Sequence, residues 1–534
     1  MKPTCEYGKR SYRRGAYVVL LFFLFSIHIQ AQVSFQKLYA RTDTSEVSSI
    51  GDIGQTSDGG YIMCGSFYPC FNCASGDGIV IKTDIYGDTV WTRRIGGPRN
   101  DGFAHILQGK DGNYLAVGGT TSWGQQATSQ VYGQYLYLVK IDPSGDTVWT
   151  RVYGGANTDY WHNTDLWDVI QTSDSGFVIA SMINSSISGT DQEILILKIN
   201  TNGDTLWTRE YVAPNNQAAF NIRQTFDKGY ILVGQTGPDG LVLKLDSIGN
   251  IEWQRAYGGS SVDNIKGVEI TANGDYIVCG NSTSFTGNTN DNYFYAMSLN
   301  ATGDTLWSKI YGPVFNQRFL SKLNDSTFFI TGLSVSGNGG ILGMRIDGHT
   351  GNISFQKEYG SSGSVNGVDM TNDGGFVFCT STVGFGSSYT EGLVIKVDGN
   401  GNSGCYEYLI NTNTLPAPTI VQTPSLQVSH FPVNVGKTQT QVSSGLKTGT
   451  VCFNSSVKEN LRSISYTVYP NPANDYVSVG GDHVKEISIF DMLGNFISSA
   501  KSNIINTKSI SNGVYFLAIK CEGEVAFEKI IIAH

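Results

Sequence analysis

The chain is short of charge, histidine and proline. Only 15% of its 534 residues are Asp, Glu, Lys or Arg, 13 are proline and seven are histidine. With 12% aromatic residues, so little charge excludes an intrinsically disordered chain, because ample apolar surface is present to offset chain entropy. The histidines (28, 105, 162, 349, 430, 483 and 534) include no pair at metal-ligand spacing. No GxSxG elbow, HExxH helix or phosphate-binding P-loop occurs either. A basic stripe is also missing. The net charge is −9, and setting aside Lys2, Lys9, Arg10, Arg13 and Arg14 with Glu6 leaves about −13, a poor match to nucleic acid or to an anionic membrane surface. The longest apolar-dominated run, AYVVLLFFLFSIHI at 16–29, is 14 residues, against the roughly 20 a membrane helix needs.

That run has a basic stretch before it and the short exit Gln30-Ala31-Gln32 after it, the three parts of a secretory signal over 1–31. Arg13-Arg14 is followed by Gly15-Ala16-Tyr17, a weak match to a twin-arginine signal, and no lipoprotein box precedes the exit. A membrane anchor is therefore not expected.

Repetition dominates the remainder. GDTVWTR at 87–93 returns at 145–151, and then as GDTLWTR (203–209), GNIEWQR (249–255), GDTLWSK (303–309) and GNISFQK (351–357). With a half-copy, VSFQK at 33–37, and a decayed copy, GNSGCYE at 401–407, there are eight marks separated by 46 to 58 residues. Each interval holds a turn such as QTSDGGY, an apolar strand closing on a small residue, a variable loop, a strand ending Lys-x-Asp, and the GDTxW strand. Asp capping backbone amides and Gly supplying positive φ make both motifs tight hairpin turns. Four short antiparallel strands in about 50 residues predict a propeller blade. The fold class is thus all-β: a seven-bladed propeller over 32–410, closed by 33–39 as outer strand of the last blade, since Phe35 keeps the aromatic position that Cys405 has lost.

On these motifs, residues 33 to 410 resemble secreted bacterial β-propeller proteins whose blades read QTSDGGY, VGS, LVKLD and GDTxW, and they share with kelch blades the Gly after the second strand and the Trp in the fourth. This resemblance implies a fold and no activity. A second resemblance covers the tail, 461–534. Tyr469-Pro470-Asn471-Pro472 with Asp475, Ile489-Phe490-Asp491 with Gly494, Gly513-Val514-Tyr515 and Lys529-Ile530-Ile531 are similar to the type A C-terminal sorting domain of the type IX secretion system of Bacteroidota. It implies export through that machinery by way of the periplasm, to the medium or the outer cell surface. The residues alone indicate a small Ig-like β-sandwich. Between the two, residues 411–460 suit either a linker or a β-extension.

Of the nine cysteines, Cys64, Cys279 and Cys379 hold a strand position occupied elsewhere by Val117, Ala180, Val233 and Thr331, which marks them as core residues. Cys70 and Cys73 are candidates for a local disulfide, as are Cys405 and Cys452 for a longer one; Cys521 is left over. No cofactor is required. The Asp-x-x-Gly-Asp turns lack the carboxylate spacing of a calcium loop, and 288–292 (NTNDN) is only a weak calcium candidate.

In alternating strands, the turns after strands one and three share a face and are tight, whereas the connections on the opposite face are long and irregular. Those long loops carry Tyr68, Phe71, Trp123, Tyr132, Tyr160, Trp161, Phe285, Phe385 and Tyr389, of which Tyr68, Trp123, Tyr132, Tyr160, Trp161, Phe385 and Tyr389 are candidate contacts for a sugar or a protein surface. Two functions fit: a binding or adhesion module for an extracellular polysaccharide or surface protein, or a propeller-type glycoside hydrolase or lyase, which needs two convergent carboxylates. Both ends of the chain have the look of removable address tags. Intact-mass spectrometry of the secreted protein should show a start near Gln32 and loss of the sorting domain; an intact 469–534 segment on the exported form would overturn the second cleavage.

Overall fold

A computed structural model describes residues 33–39, 47–68, 75–123, 135–154, 166–184, 192–213, 216–285, 292–312, 315–334, 340–360, 363–383, 390–404, 407–409, 413–424, 427–429, 434–436, 441–443, 448–455, 467–480, 484–491, 496–521 and 524–534. No helix occurs among them. Seven five-stranded antiparallel sheets account for 33–455. We number them as blades: blade 1 takes its first four strands from 47–96, blade 2 from 101–154, blade 3 from 166–212, blade 4 from 217–258, blade 5 from 263–312 and blade 6 from 315–359. Blade 7 takes three from 363–397, and its fourth is Val33–Tyr39.

The first strands line the centre. Each packs against the first strand of the next blade, and that of blade 7 packs against that of blade 1, which closes a propeller ring. The second and third strands are almost wholly buried, as in Tyr230–Thr236 and Asp239–Leu245, because both of their faces meet neighbouring blades. Cys64, Cys279 and Cys379 are buried members of this packing, and burial pushes their thiols well above the usual range. The N-terminal strand closes the ring as expected, with Phe35 opposite Lys396 and Tyr39 opposite Gly392.

The fifth strands come from one segment. Glu407–Leu409, Asn413–Pro416, Ile420–Gln422, Gln427–Ser429, Asn434–Gly436, Gln441–Ser443 and Thr448–Ser455 pair in turn with the outer strands of blades 6, 5, 4, 3, 2, 1 and 7. Residues 407–455 are thus a strap that runs around the rim against the order of the blades, and the propeller sheets extend past residue 410. Its register is regular. Val421 stands opposite Tyr257, Val428 opposite Tyr211, Val435 opposite Tyr153 and Val442 opposite Ile95, one blade for every seven residues. At most about 3.3–3.6 Å per residue, seven residues span up to about 25 Å, enough for one step along the rim. The strap covers only the last few residues of the outer strands of blades 1 to 6 but the whole of Val33–Tyr39 in blade 7, protecting edges that would otherwise template aggregation.

The tail forms a three-stranded sheet (Thr467–Tyr469, Tyr476–Gly480, Ile504–Asn506) and a four-stranded one (Phe496–Ala500, Glu486–Phe490, Gly513–Cys521, Glu524–Ile532). Val477, Val479, Ile487, Ile489, Leu517, Ile519, Ile530 and Ile532 fill a shared core, the arrangement of a β-sandwich.

Because Val33–Tyr39 is paired on both edges, by blade 7 and by the strap, removing 33–39 should lower the melting midpoint sharply. Proline at neighbouring strap positions (Val428→Pro with Ser429→Pro, Val442→Pro with Ser443→Pro) removes an inward N–H whichever way the ladder is phased, and should give a smaller fall in calorimetry. An unchanged transition in both would contradict this topology.

Candidate functional site

Most motif residues prove to be committed to the scaffold. In the fourth strand, a buried Tyr hydroxyl donates to the Gly carbonyl of the next blade's GDT turn: Tyr153 to Gly203 (2.6 Å), Tyr211 to Gly249 (2.7 Å), Tyr257 to Gly303 (2.5 Å), Tyr311 to Gly351 and Tyr359 to Gly401 (2.7 Å), and across the closing joint Tyr39 to Gly87 (2.6 Å). Trp91 Nε1 donates to Pro143 O and Trp307 Nε1 to Gly348 O, while Arg93 lies over the Trp91 ring and reaches Gly145 O. The accepting glycines, among them Gly145 and Gly249, hold φ of 90° and 84°, a region that penalises a Cβ. Asp84 Oδ1 and Asp142 Oδ1 each accept two backbone amides within their turns, so these acids are turn caps.

The Lys-x-Asp motif has a second partner. Lys82, Lys140, Lys198, Lys244 and Lys396 are buried on third strands and pair with Asp58, Asp111, Asp174, Asp227 and Asp373 of the QTSDGGY-type turns, at 2.6–2.9 Å. Despite some desolvation, hydrogen bonds from Thr172 and Lys198 pull Asp174 down to about 2. The Gln of that turn passes contact onward: Ser57 N donates to Gln108 Oε1, Ser173 N to Gln224 Oε1 and Asn372 N to Gln55 Oε1.

What does not repeat gathers in the centre. A cavity of about 800 Å³ opens on the tight-turn face and is bordered by Asp52, His105, Asp168, Arg223, Lys266, Glu269, Lys322 and Asp369 on the first strands. Arg223 bridges Asp168 (2.8 Å) and Glu269 (3.0 Å), and these carboxylates hold the guanidinium charged although its burial opposes that. His105 Nδ1 lies 3.4 Å from Asp52 Oδ2. Burial raises Asp369 to about 6, although the Gln55 and Met370 amides both donate to its carboxylate at 2.8 Å. Several acids also stitch one blade to the next: Asp52 Oδ2 accepts from Ile106 N (3.1 Å) and Asp168 Oδ2 from Ile222 N (3.0 Å), and Asn221 Oδ1 does likewise for Val268 N. This wall combines acid, base and amide donors and suits a hydroxyl-rich or zwitterionic ligand.

The opposite face answers only part of the expectation. Trp123 is half-buried with its ring 5.3 Å from that of Tyr137, and Phe285 lies on Tyr295 in the same way, so both cover blade ends. Tyr68 is half-buried at the end of its strand. Phe71, Tyr132, Tyr160, Trp161, Phe385 and Tyr389 lie outside the described residues, as do Cys70, Cys73, Cys405, His162 and 288–291 of the weak calcium loop. Cys452 is placed in the last strap strand opposite Gln36. Among the described residues no group of three or more His, Cys, Asp and Glu is placed to hold a metal.

In the tail, Asn471 Oδ1 accepts from Ile531 N (2.8 Å) and its Nδ2 donates to Lys529 O (3.0 Å), fixing the Tyr469-Pro470-Asn471-Pro472 turn against the last strand. Both Pro470 and Pro472 follow cis peptide bonds. Tyr515 is buried and donates to Ser511 O, Gly513 opens its strand, and Asp475 faces Lys508 at 3.4 Å. Tyr469 and Lys529 are exposed, and Gly494 lies outside the described residues. The final His534, unlike the usual apolar or basic end of such tails, is held by Ile510 O at 2.7 Å and by Asn474.

Replacing Asp174 by Asn leaves the buried Lys198 ammonium without its counter-charge; because the Asp174 carboxylate is more than half exposed and screened by water, the loss should be about 1 kcal/mol at pH 7 in denaturant unfolding. Asp174 titrates lower in the folded than in the unfolded chain, so its contribution is present above the ordinary carboxylate range and disappears as pH falls from about 4 to about 2. The difference between wild type and variant should shrink over that window; a constant difference would argue against the ion pair.

Comparison with known proteins adds two findings and one blank. No curated protein matches the chain. Among solved structures, the polysaccharide lyase Uly1 gives a TM-score of 0.42 at 10% identity, over 66% of this chain and 90% of that one. The NanB sialidase from Streptococcus pneumoniae, as a mutant, gives 0.38 at 10% over 69% and 71%. A Dyadobacter fermentans protein of unknown function gives 0.33 at 8% over 68% and 98%. Residues 467–533 match the family model described as a secretion system C-terminal sorting domain. The tail is therefore a sorting domain of the type IX secretion system, and the protein it carries is one delivered to the medium or the outer cell surface.

Proposed function

We propose that this protein is an extracellular binding module, a rigid ring that presents one or both of its faces to a polysaccharide or a surface protein. In this reading 1–31 is the export leader, 32–410 with the strap is the binding ring, and 461–534 is the address. The observation that carries it is the commitment of the central carboxylates. Asp168 and Glu269 are both paired with Arg223, and Asp52 and Asp369 are tied to backbone amides, so we read them as wall and not as a free acid and nucleophile. A glycoside hydrolase of the usual retaining or inverting kind would need two carboxylates able to approach a substrate unencumbered.

The test is a glycan and protein binding screen with the full mature chain, followed by titration of each hit against Arg223→Met and against a folded Trp123→Ala, Trp161→Ala variant. Loss in the first places the contact in the central cavity, and loss in the second places it on the loop face. Turnover of a glycan in the screen, with bond cleavage seen by mass spectrometry, would overturn the binding reading in favour of the enzyme.

A further inference from the structure

The basic residue that ends the outer-strand motif changes around the ring. Blades 1 to 4 carry arginine there (93, 151, 209 and 255), whereas blades 5, 6 and 7 carry lysine (309, 357 and 37). Each lysine meets the residue after the glycine of the next turn: Lys309 meets Asn352, Lys357 meets Asn402 and Lys37 meets Asp88. The strap varies in step. Opposite the residue that ends each rim contact it places valine in blades 1 to 4, Thr414 in blade 5 and Glu407 in blade 6. The chemistry of these sets differs. A guanidinium is no nucleophile, and a carboxylate anion resists attack by an amine. A lysine amine facing a neutral amide can displace ammonia from it, provided a base removes the ammonium proton.

Among these rim positions amine, amide and carboxylate meet at the joint of blades 6 and 7. Lys357 Nζ donates to Asn402 Oδ1 at 2.5 Å and lies 3.4 Å from Glu407 Oε1. A carbonyl bond of about 1.23 Å puts Nζ within about 3.7 Å of Asn402 Cγ, close to the separation of a near-attack arrangement. Each partner is held. Asn402 donates to Asp398 through both its backbone N (2.7 Å) and its Nδ2 (2.9 Å). Glu407 Oε2 accepts from Ser403 N at 2.6 Å and Ser403 Oγ at 3.1 Å, which leaves Oε1 to the lysine. Tyr359 stands opposite Glu407 and Lys357 opposite Leu409, so Lys357 and Glu407 are diagonal neighbours on one face of the strand pair. The Lys357 side chain is 12% exposed, which keeps most water from the reacting atoms. Blade 5 supplies an internal control: Lys309 meets Asn352 at 2.8 Å in an exposed pair, with Thr414 where the acid would stand.

We propose that Lys357 and Asn402 become joined by an isopeptide bond, with Glu407 as the base. Glu407 takes a proton from the Lys357 ammonium, and the freed amine attacks Asn402 Cγ. Glu407 then hands that proton to Nδ2 and takes a second one from the attacking nitrogen. The Cγ–Nδ2 bond breaks, the Nζ–Cγ amide remains, and ammonia leaves, carrying the second proton away as ammonium. No oxidant and no cofactor enter the balance. The bond ties the outer strand of blade 6 to the turn from which the strap departs, closing the loop 357–402 covalently.

The experiment is peptide mapping by tandem mass spectrometry of the full mature chain, incubated at neutral pH, denatured and digested with trypsin. The wild type should yield a branched peptide joining Lys357 to Asn402, lighter by one ammonia than its two parts and uncut at Lys357. Lys309 and Asn352 should appear in separate peptides. Glu407→Gln keeps the shape of the site and removes the base, and Lys357→Arg keeps the charge and removes the nucleophile; both should yield the two peptides unjoined. If either variant does not fold, the wild-type map and the other variant decide. Unmodified Asn402 with cleavage at Lys357 in the wild type overturns the bond, as does loss of ammonia from Asn402 without a branched peptide. A branched peptide that persists in Glu407→Gln overturns the role of Glu407.

Discussion

The ring depends on hydrogen bonds that leave one sheet and end on the next. A single four-stranded sheet has two apolar faces and little independent stability. Here six of the seven junctions carry a buried tyrosine hydroxyl on a glycine carbonyl at the rim, blade 1 having Ile95 at that position and reaching Gly145 O through Arg93, and four carry a carboxylate or amide on a backbone N–H at the centre. The rim bond needs the accepting turn to expose its glycine carbonyl, hence the left-handed glycine in each GDT turn. Apolar packing between blades supplies most of the driving force, and these bonds give it one geometry.

This dependence explains what could be read from the residues. The GDTxW and QTSDGGY motifs were visible because their bonds recur at most junctions, so the same bond calls for the same letters. The N-terminal half-copy was legible for the same reason: Phe35 and Tyr39 occupy the positions of Trp149 and Tyr153. The strap was legible only as one of two alternatives for 411–460, a linker or a β-extension, and its path around the rim was not. Its strands are mostly three residues long and pair through the backbone, which constrains side chains weakly; the only trace is valine at 421, 428, 435 and 442, a period of seven that fits no single element. The charged central wall was hidden in another way. Arg223, Glu269 and Asp369 sit one residue before the repeated turn, where each blade differs, and they become neighbours only when the ring closes.

Carboxylates in a cleft do not by themselves distinguish an enzyme from a binder. Carboxylates do converge in the central cavity, but their partners are an arginine and backbone amides, and a carboxylate that caps a strand is part of the frame. The relevant distinction is whether the oxygen has a protein partner.

The direction of the strap has a mechanical consequence. Its last residue, Ser455, stands opposite Val33, and the sorting domain follows from there. Tension applied through the tail therefore acts at the end of an antiparallel pair and opens it one hydrogen bond at a time, like a zipper, instead of shearing all of them together. The strap would come away from blade 7 first and then from blades 1, 2 and 3, while the four-stranded ring beneath keeps its own closure through Val33–Tyr39 on blade 7. A load on the address end is spent on the strap before it reaches the blades.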